Sequence, residues 1–489
     1  MAAVAGRGTP VIRAWHVARR ASRRLTWGIS DQAMGTLTNF LLTIYIAKTL
    51  GAAQFGAFSL AYVTYGFALN ASRGLSIEPL LIRFSGTDVA TWRRKTAGCT
   101  GTALLVGIVT GGCALVVGAA AGGATGQAFL ALGLTLPGLL LQDSWRYAFF
   151  ALGRGYHAFV NDALWAVIQV PLLVILKMSG HANVFWFVLA WGAGAAAGAV
   201  VGAVQARVVP SLVHAKDWLV RHRDLGPRYL AENTGGNAAD TLRSYSTSSI
   251  LGLAAVGYIQ AANTLMGPFR VIFYGMGMLT IPEAARLLRD SPRRLPLFCA
   301  AVSIGLASLA LMWGLVLFVA LPLGLGHLML GKLWRPTYPL VLPTALYVTA
   351  GCAGIGGSIG LHALGAARRS LRAALLTSAL IVVAGIAGAL TGGTLGTMRA
   401  VAAVAWVGAL ISWWQLREAL HEYGSCRVPS WLLPRQRAST TDPPQPTLVM
   451  PRKPDSPSGH SRTRLRARWP GAVSNPAGTA SRRTGSRRT

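Results

Sequence analysis

The chain has 489 residues, of which 53% are hydrophobic and 12% charged, with 46 Lys and Arg against 15 Asp and Glu and a formal net charge of +31. With a mean hydropathy of +0.46, this composition excludes an ordinary soluble domain or a disordered chain and indicates a polytopic membrane protein. Charge-free runs such as 96–142, 295–331 and 336–367 suffice for one or two spans each, since a helix needs about 20 residues to cross the hydrocarbon.

Residues 1–25 form a basic arm without the small-residue cleavage site that follows the apolar core of a signal peptide, and read as a retained cytoplasmic segment. Apolar stretches between polar turns then predict twelve helices. The first six lie near 26–49, 56–83, 96–121, 127–152, 157–178 and 183–206, and form a lobe spanning 26–206. A cytoplasmic linker, 207–228, leads to a second lobe, 229–423, with helices near 229–252, 255–287, 296–322, 338–366, 371–392 and 398–420. Residues 424–489 turn to Pro, Ser, Thr and Arg, the composition of a disordered basic tail on the inner leaflet, with docking of a partner protein as the alternative.

Alternation of the spans assigns every connection to one of two sides. One side collects 38 of the 46 Lys and Arg; the other holds only Lys48, Lys177, Lys332, Arg335 and Arg399. By the positive-inside rule both termini are cytoplasmic. The large positive charge is therefore topology and attraction to anionic lipid rather than a nucleic-acid footprint. The five cysteines (Cys99, Cys113, Cys299, Cys352, Cys426) and nine scattered histidines give no disulfide framework, metal spacing or cofactor motif.

Residues 231–257, AENTGGNAADTLRSYSTSSILGLAAVG, are the least apolar predicted span. At a constant offset of 201 they align without a gap on residues 30–56, SDQAMGTLTNFLLTIYIAKTLGAAQFG. Asp31 then meets Glu232, Gln32 meets Asn233, Gly35 meets Gly236, Asn39 meets Asp240 and Gly56 meets Gly257. A second match, ALGRGYHAF (151–159) on ALGAARRSL (363–371), follows at offset 212. Six helices separate the copies, so the lobes are parallel repeats about an axis along the membrane normal.

A mid-membrane Asp or Arg costs about 2.5 to 3.5 kcal/mol on the insertion scale and a Leu returns only about 0.5. The seventh helix, with Glu232, Asp240 and Arg243, therefore cannot face lipid all round. Asp31, Gly35 and Asn39 share one helix face by i, i+4, i+8 spacing, as do Glu232, Gly236 and Asp240. Two matched polar faces point to a shared aqueous cavity, with Asn39, Asn237, Asp240 and Arg243 as substrate-facing candidates and Asp31, Glu78 and Glu232 as candidates for ion coupling. The alternatives are an Asp240–Arg243 pair along one helix and surface positions for Asp31 and Glu232. Arg73 and Arg270, also within spans and near Pro79 and Pro268, complete the candidate set, because a guanidinium fork suits a diphosphate. Asp143 and Arg146, at i, i+3, read as a local ion pair.

The block DQAMGTLTNFLLTIYIAKTLGAAQFGAFSLAY, with the later ALGR and ALG before ARR, resembles the polysaccharide flippases of the multidrug/oligosaccharidyl-lipid/polysaccharide exporter (MOP) superfamily over roughly residues 26–423. The resemblance implies an all-α, two-lobed bundle of twelve transmembrane helices around a central cavity. It also implies translocation of a polyprenyl-diphosphate-linked oligosaccharide to the outer leaflet of a bacterial plasma membrane, with cavity arginines on the anionic head group and a glycan polymerase as a partner. A multidrug extrusion antiporter of the same superfamily is the alternative; it would favour cavity carboxylates, whereas mid-span arginines here are at least as numerous. A polytopic glycosyltransferase or polymerase is disfavoured, since the predicted outer connections contain no Asp or Glu to serve as general acid or base.

Overall fold

The computed structural model describes the backbone of residues 10–425, and side chains from Thr26 onward apart from scattered positions that include Gly236 and Arg270. All regular elements among the described residues are helices. The first lobe holds α1 (Pro10–Thr49), a second rod made of α2 (Ala52–Ser72), a π-helical turn (Arg73–Ile77) and α3 (Glu78–Phe84), then α4 (Val89–Ala121), α5 (Gly123–Ala151), α6 (Gly155–Met178) and α7 (Val184–Ala206). After α8 (Val213–Arg221) come α9 (Gly226–Leu251), α10 (Leu253–Leu265), α11 (Gly267–Asp290), α12 (Leu295–Ala320), short α13 (Gly326–Leu330), α14 (Trp334–Ala363) and α15 (Ala367–Ser425). α15 comprises two rods, because Gly392 and Gly393 leave the helical conformation between them.

Each predicted span thus finds a helix, and among the described residues six helical stretches are long and apolar enough to cross a bilayer; the protein is a multi-pass membrane protein. Three local differences from the sequence reading stand out. The helix of α1 begins at Pro10, so most of the arm is helical, as its Ala- and Arg-rich composition favours. The linker contains α8. The second rod is interrupted by a π turn, in which the Glu78 N–H bonds the Arg73 carbonyl.

Pro79 explains that interruption. It lacks an N–H, so the Leu75 carbonyl one turn earlier has no helical donor. Trp218 of α8 supplies one, its Nε1 lying 3.2 Å from the Leu75 oxygen. The same stretch abuts the second lobe, where a Cβ on Gly74 would lie 2.5 Å from the Leu230 nitrogen. Small residues elsewhere bring helices to backbone contact: a Cβ on Gly111 would sit 2.7 Å from the Gly133 oxygen, joining α4 to α5.

The helix ends sort into two groups consistent with the predicted alternation. Gly86 N–H bonds the Ala151 carbonyl, Arg83 pairs with Asp224, and Trp27 packs on Tyr156, gathering the connections read as cytoplasmic. At the other end Gly331 abuts Lys48, and Gly56 abuts Leu253.

Candidate substrate cavity

A cavity of about 720 Å³ opens between the lobes, walled mainly by α1, α2, α5, α6 and α7 of the first lobe and closed by α10, α11 and α14 of the second. Its lining carries two guanidiniums and two carboxylates, with a third carboxylate, that of Asp31, buried behind them. Arg73, at the start of the π turn, makes a two-pronged contact with Asp143 of α5, Nε to Oδ2 at 2.9 Å and Nη2 to Oδ1 at 2.7 Å. Arg146, one turn further along α5, donates from Nε to Asp31 Oδ2 at 2.6 Å and lies 3.5 Å from Asp162 Oδ2. Gln142 holds the other oxygen of Asp162 at 2.7 Å. Both cations lie over the Tyr147 ring, the Arg73 guanidinium 5.0 Å and that of Arg146 5.9 Å from its centre.

The spacing of these groups follows from helix geometry. Gln142, Asp143, Arg146 and Tyr147 fall within two turns of α5 and all line the cavity. Asp31, Gly35 and Asn39 form the facing stripe on α1: Asp31 is fully buried, a Cβ on Gly35 would stand 3.7 Å from Asp162 Oδ2, and Asn39 borders the cavity. Excising three carboxylates and two guanidiniums from water is costly, and the pairing with charge-assisted hydrogen bonds offsets that cost.

The remaining wall is aromatic and carboxamide in character. Tyr65 stands edge-on to Trp191 with ring centres 4.9 Å apart, and Trp165 stacks on Trp191 while donating Nε1–H to its carbonyl at 2.9 Å. Gln32, Gln169, Gln260 and Asn263 present amides to the same space.

Of the residues singled out from sequence, the structure brings Arg73, Asn39 and Asp31 together at this cavity or its buried network. Glu78 lies at the lobe interface beside Glu232 and Asn233, away from the cavity lining. Asn237 is exposed and donates to the Asn233 carbonyl. The Arg270 side chain lies outside the described residues.

The expectation of matched polar faces requires correction: among the described residues, α9 contributes nothing to the lining. Arg243 is buried against Gly385 of α15, where a Cβ would come within 3.0 Å of its Cγ, and pairs along its own helix with Asp240 at 3.1 Å. Tyr245 anchors α9 to α2 through a 2.6 Å hydroxyl contact with Thr64. These two contacts fix the rotation of α9, and the second lobe instead presents Gln260, Asn263 and Thr264 of α10. Nor are Asp143 and Arg146 a local pair; each reaches across to another helix. Arg146, counted among the cytoplasmic charges from sequence, belongs to the interior. Asp162 and Gln142 went unremarked, although Asn161, Asp162 and Gln169 interrupt an otherwise apolar helix and gave a usable signal.

No family model matches the sequence, and no curated protein matches it. Solved structures do. An inward-facing multidrug resistance MATE family transporter of the MOP superfamily superposes with a TM-score of 0.61 at 14% identity, covering 80% of this chain and 96% of that one. The lipid II flippase MurJ in an inward closed conformation gives 0.59 at 11% identity, with 83% and 95% covered. An outward-facing MATE transporter gives 0.53 at 15% identity, with 82% and 96% covered. These neighbours are transporters and a flippase, and they span almost their full lengths on residues of this chain. The protein therefore carries the two-lobed, all-helical fold of the MOP-superfamily transporters.

Proposed function

We propose that the protein is a flippase that moves a polyprenyl-diphosphate-linked oligosaccharide from the inner to the outer leaflet of a bacterial plasma membrane by alternating access, for cell-surface polysaccharide assembly. The observation that carries this reading is the cavity wall, in which two guanidiniums lying over Tyr147 share one lining with indole rings, phenols and carboxamides. Sugar rings lie against aromatic faces while their hydroxyls exchange hydrogen bonds with amides. Arg forks match phosphate oxygens. The fold shared with the lipid II flippase MurJ supports the same direction.

In this account the head group enters the cavity while the prenyl chain stays in lipid between the lobes. A phosphate takes over the fork of Arg73 from Asp143, because both ligands need the same Nε and Nη2 donors. Rocking of the lobes then exposes the sugar to the other side, with no covalent bond broken. Asp31, Glu78 and Glu232 are the groups through which an ion gradient would act, and the basic loops and both termini face cytoplasmic anionic lipid.

One observation favours a second reading. Asp31, Asp143 and Asp162 outnumber Arg73 and Arg146 in the network, which suits a cationic substrate and an extrusion antiporter, a reading that the fold shared with a multidrug resistance MATE family transporter supports. Reconstitution separates the two. In liposomes holding a labelled polyprenyl-diphosphate oligosaccharide, the protein speeds access of a membrane-impermeant glycan-modifying enzyme to the inner-leaflet pool if the first reading holds. Unchanged access together with ion-driven efflux of an organic cation would replace it with the second.

A further inference from the structure

The chain that leaves the last helix of the first lobe does not go straight to the second. Arg207 takes a left-handed conformation, φ 53°, just after α7. The Val208 N–H then bonds the Ala203 carbonyl, and the chain folds back along α4, the third rod of that lobe. The Ser211 N–H bonds the Ala97 carbonyl at 3.0 Å, and its own carbonyl presses so close to Gly101 that a Cβ there would lie 2.0 Å away. Trp218 completes the contact against Gly98.

The sequence of this strap is RVVPSLV, residues 207–213. Directly after the last helix of the second lobe stands RVPSWL, residues 427–432. Arg, Val, Pro and Ser recur in order, at the equivalent place in the repeat, in a tail otherwise poor in large apolar residues. In the second lobe, the space between the cytoplasmic start of α12, again the third rod, and the end of α15 is an open groove of about 370 Å³. Pro296, Trp413, Leu416 and Leu420 line it together with Arg417 and His421.

We propose that residues 427–432 fold back and occupy this groove, with Val428, Trp431 and Leu432 covering its apolar wall. The occupant is identified by sequence repetition, by lobe position and by reach: the groove lining includes His421, and six extended residues span about 20 Å. The contact differs in kind from that of the first lobe. There a glycine face admits backbone; here a groove with bulky walls admits side chains. This strap would fix the end of the twelfth rod to the ninth, as 207–218 fixes the chain after the sixth rod to the third, and the inference is independent of the transported substrate.

Disulfide trapping in native membranes tests it. Ser430→Cys is combined with Leu297→Cys, beside the groove on α12, in a background carrying Cys113→Ser and Cys426→Ser. A same-chain cross-link on mild oxidation, absent when Ser430→Cys is paired with Leu323→Cys at the far end of that rod, is the expected result. Trypsin supplies a readout without engineered cysteines: cleavage after Arg435 and Arg437 should be fast and cleavage after Arg427 slow, with Trp431→Ser raising the latter at least about tenfold. A cross-link only between two chains, no cross-link, or equal cleavage after Arg427 in wild type and Trp431→Ser would overturn the proposal.

Discussion

Gly56 and Gly257 are equivalent in the internal repeat and meet at the same crossing between lobes. A Cβ on Gly56 would lie 1.8 Å from the Leu253 carbonyl oxygen, and one on Gly257 would lie 2.7 Å from that of Ala52. At an offset of 201, Leu253 corresponds to Ala52, so the two contacts are images of each other about the pseudo-two-fold axis. α2 and α10 thus cross backbone to backbone at the contact between the lobes. Gly56→Ala is expected to lower the thermal unfolding midpoint in detergent and to reduce transport about tenfold or more. Overpacking of this kind costs about 1 to 3 kcal/mol. Gly66→Ala, in the same helix with open space around it, should leave both unchanged or raise stability.

The buried Asp31–Arg146–Asp162 network makes an asymmetric prediction. Arg146→Ala leaves two carboxylates without their cation, and breaking such a pair costs about 3 to 5 kcal/mol. Asp31→Asn removes one charge and leaves Asp162 on Arg146, so its effect should be smaller. Unfolding midpoints of the two variants and of the double variant check this ordering; equal effects would mean that Arg146 holds only Asp31.

Pro79→Ala restores an N–H able to bond the Leu75 carbonyl. The π turn should then close to ordinary helix, rotating Arg73 relative to Asp143, and Trp218 should lose its acceptor. The expected outcome is a folded protein with transport reduced about tenfold or more and faster proteolysis of the 207–225 linker. Trp218→Phe alone should loosen the linker by about 1 kcal/mol with transport largely kept. Hydrogen exchange at residues 213–222 reads both.

His222, in the linker after α8, is buried, packed at a tilt against the Trp218 ring and hydrogen-bonded through Nδ1 to the Trp218 carbonyl. Burial holds its pKa below the ordinary value of 6.5, with Arg83 and Arg221 acting in the same sense, while the Trp218 carbonyl and Asp224 oppose them. The unfolded linker therefore binds the proton more readily than the docked one. Docking should be constant above about pH 6.5 and weaken as pH falls below it. Linker proteolysis between pH 7.5 and 5.5 checks the direction, and His222→Gln should remove the dependence.

Much of the fold was legible because membrane helices announce themselves by apolar length and because the repeat preserved Gly56 and Gly257 at one offset. The α1 stripe of Asp31, Gly35 and Asn39 was legible too, since i, i+4, i+8 spacing fixes a face. Which way α9 turns was not, because that rotation depends on Gly385 and Thr64, far away in sequence and unmarked by any motif. The partners of Arg146 were hidden for the same reason: spacing along α5 pointed to Asp143, while the fold brings Asp31 and Asp162 within reach. Gly392 and Gly393 dividing α15 fall at the predicted turn, whereas the π turn followed from Pro79 only once Trp218 was seen to satisfy the Leu75 carbonyl.

In the proposed cycle an anionic head group takes the fork of Arg73 from Asp143. The most direct measurement is the initial rate of flipping of a labelled polyprenyl-diphosphate oligosaccharide in liposomes, against substrate density, for wild type, Arg73→Lys and Asp143→Asn. Lys cannot reproduce the two-pronged contact, so Arg73→Lys should flip at least about tenfold more slowly. Asp143→Asn removes the competing charge, so half-saturation should fall to lower substrate density. Loss of flipping in Asp143→Asn with wild-type rates in Arg73→Lys would contradict the account and place the carboxylate, not the guanidinium, on the substrate.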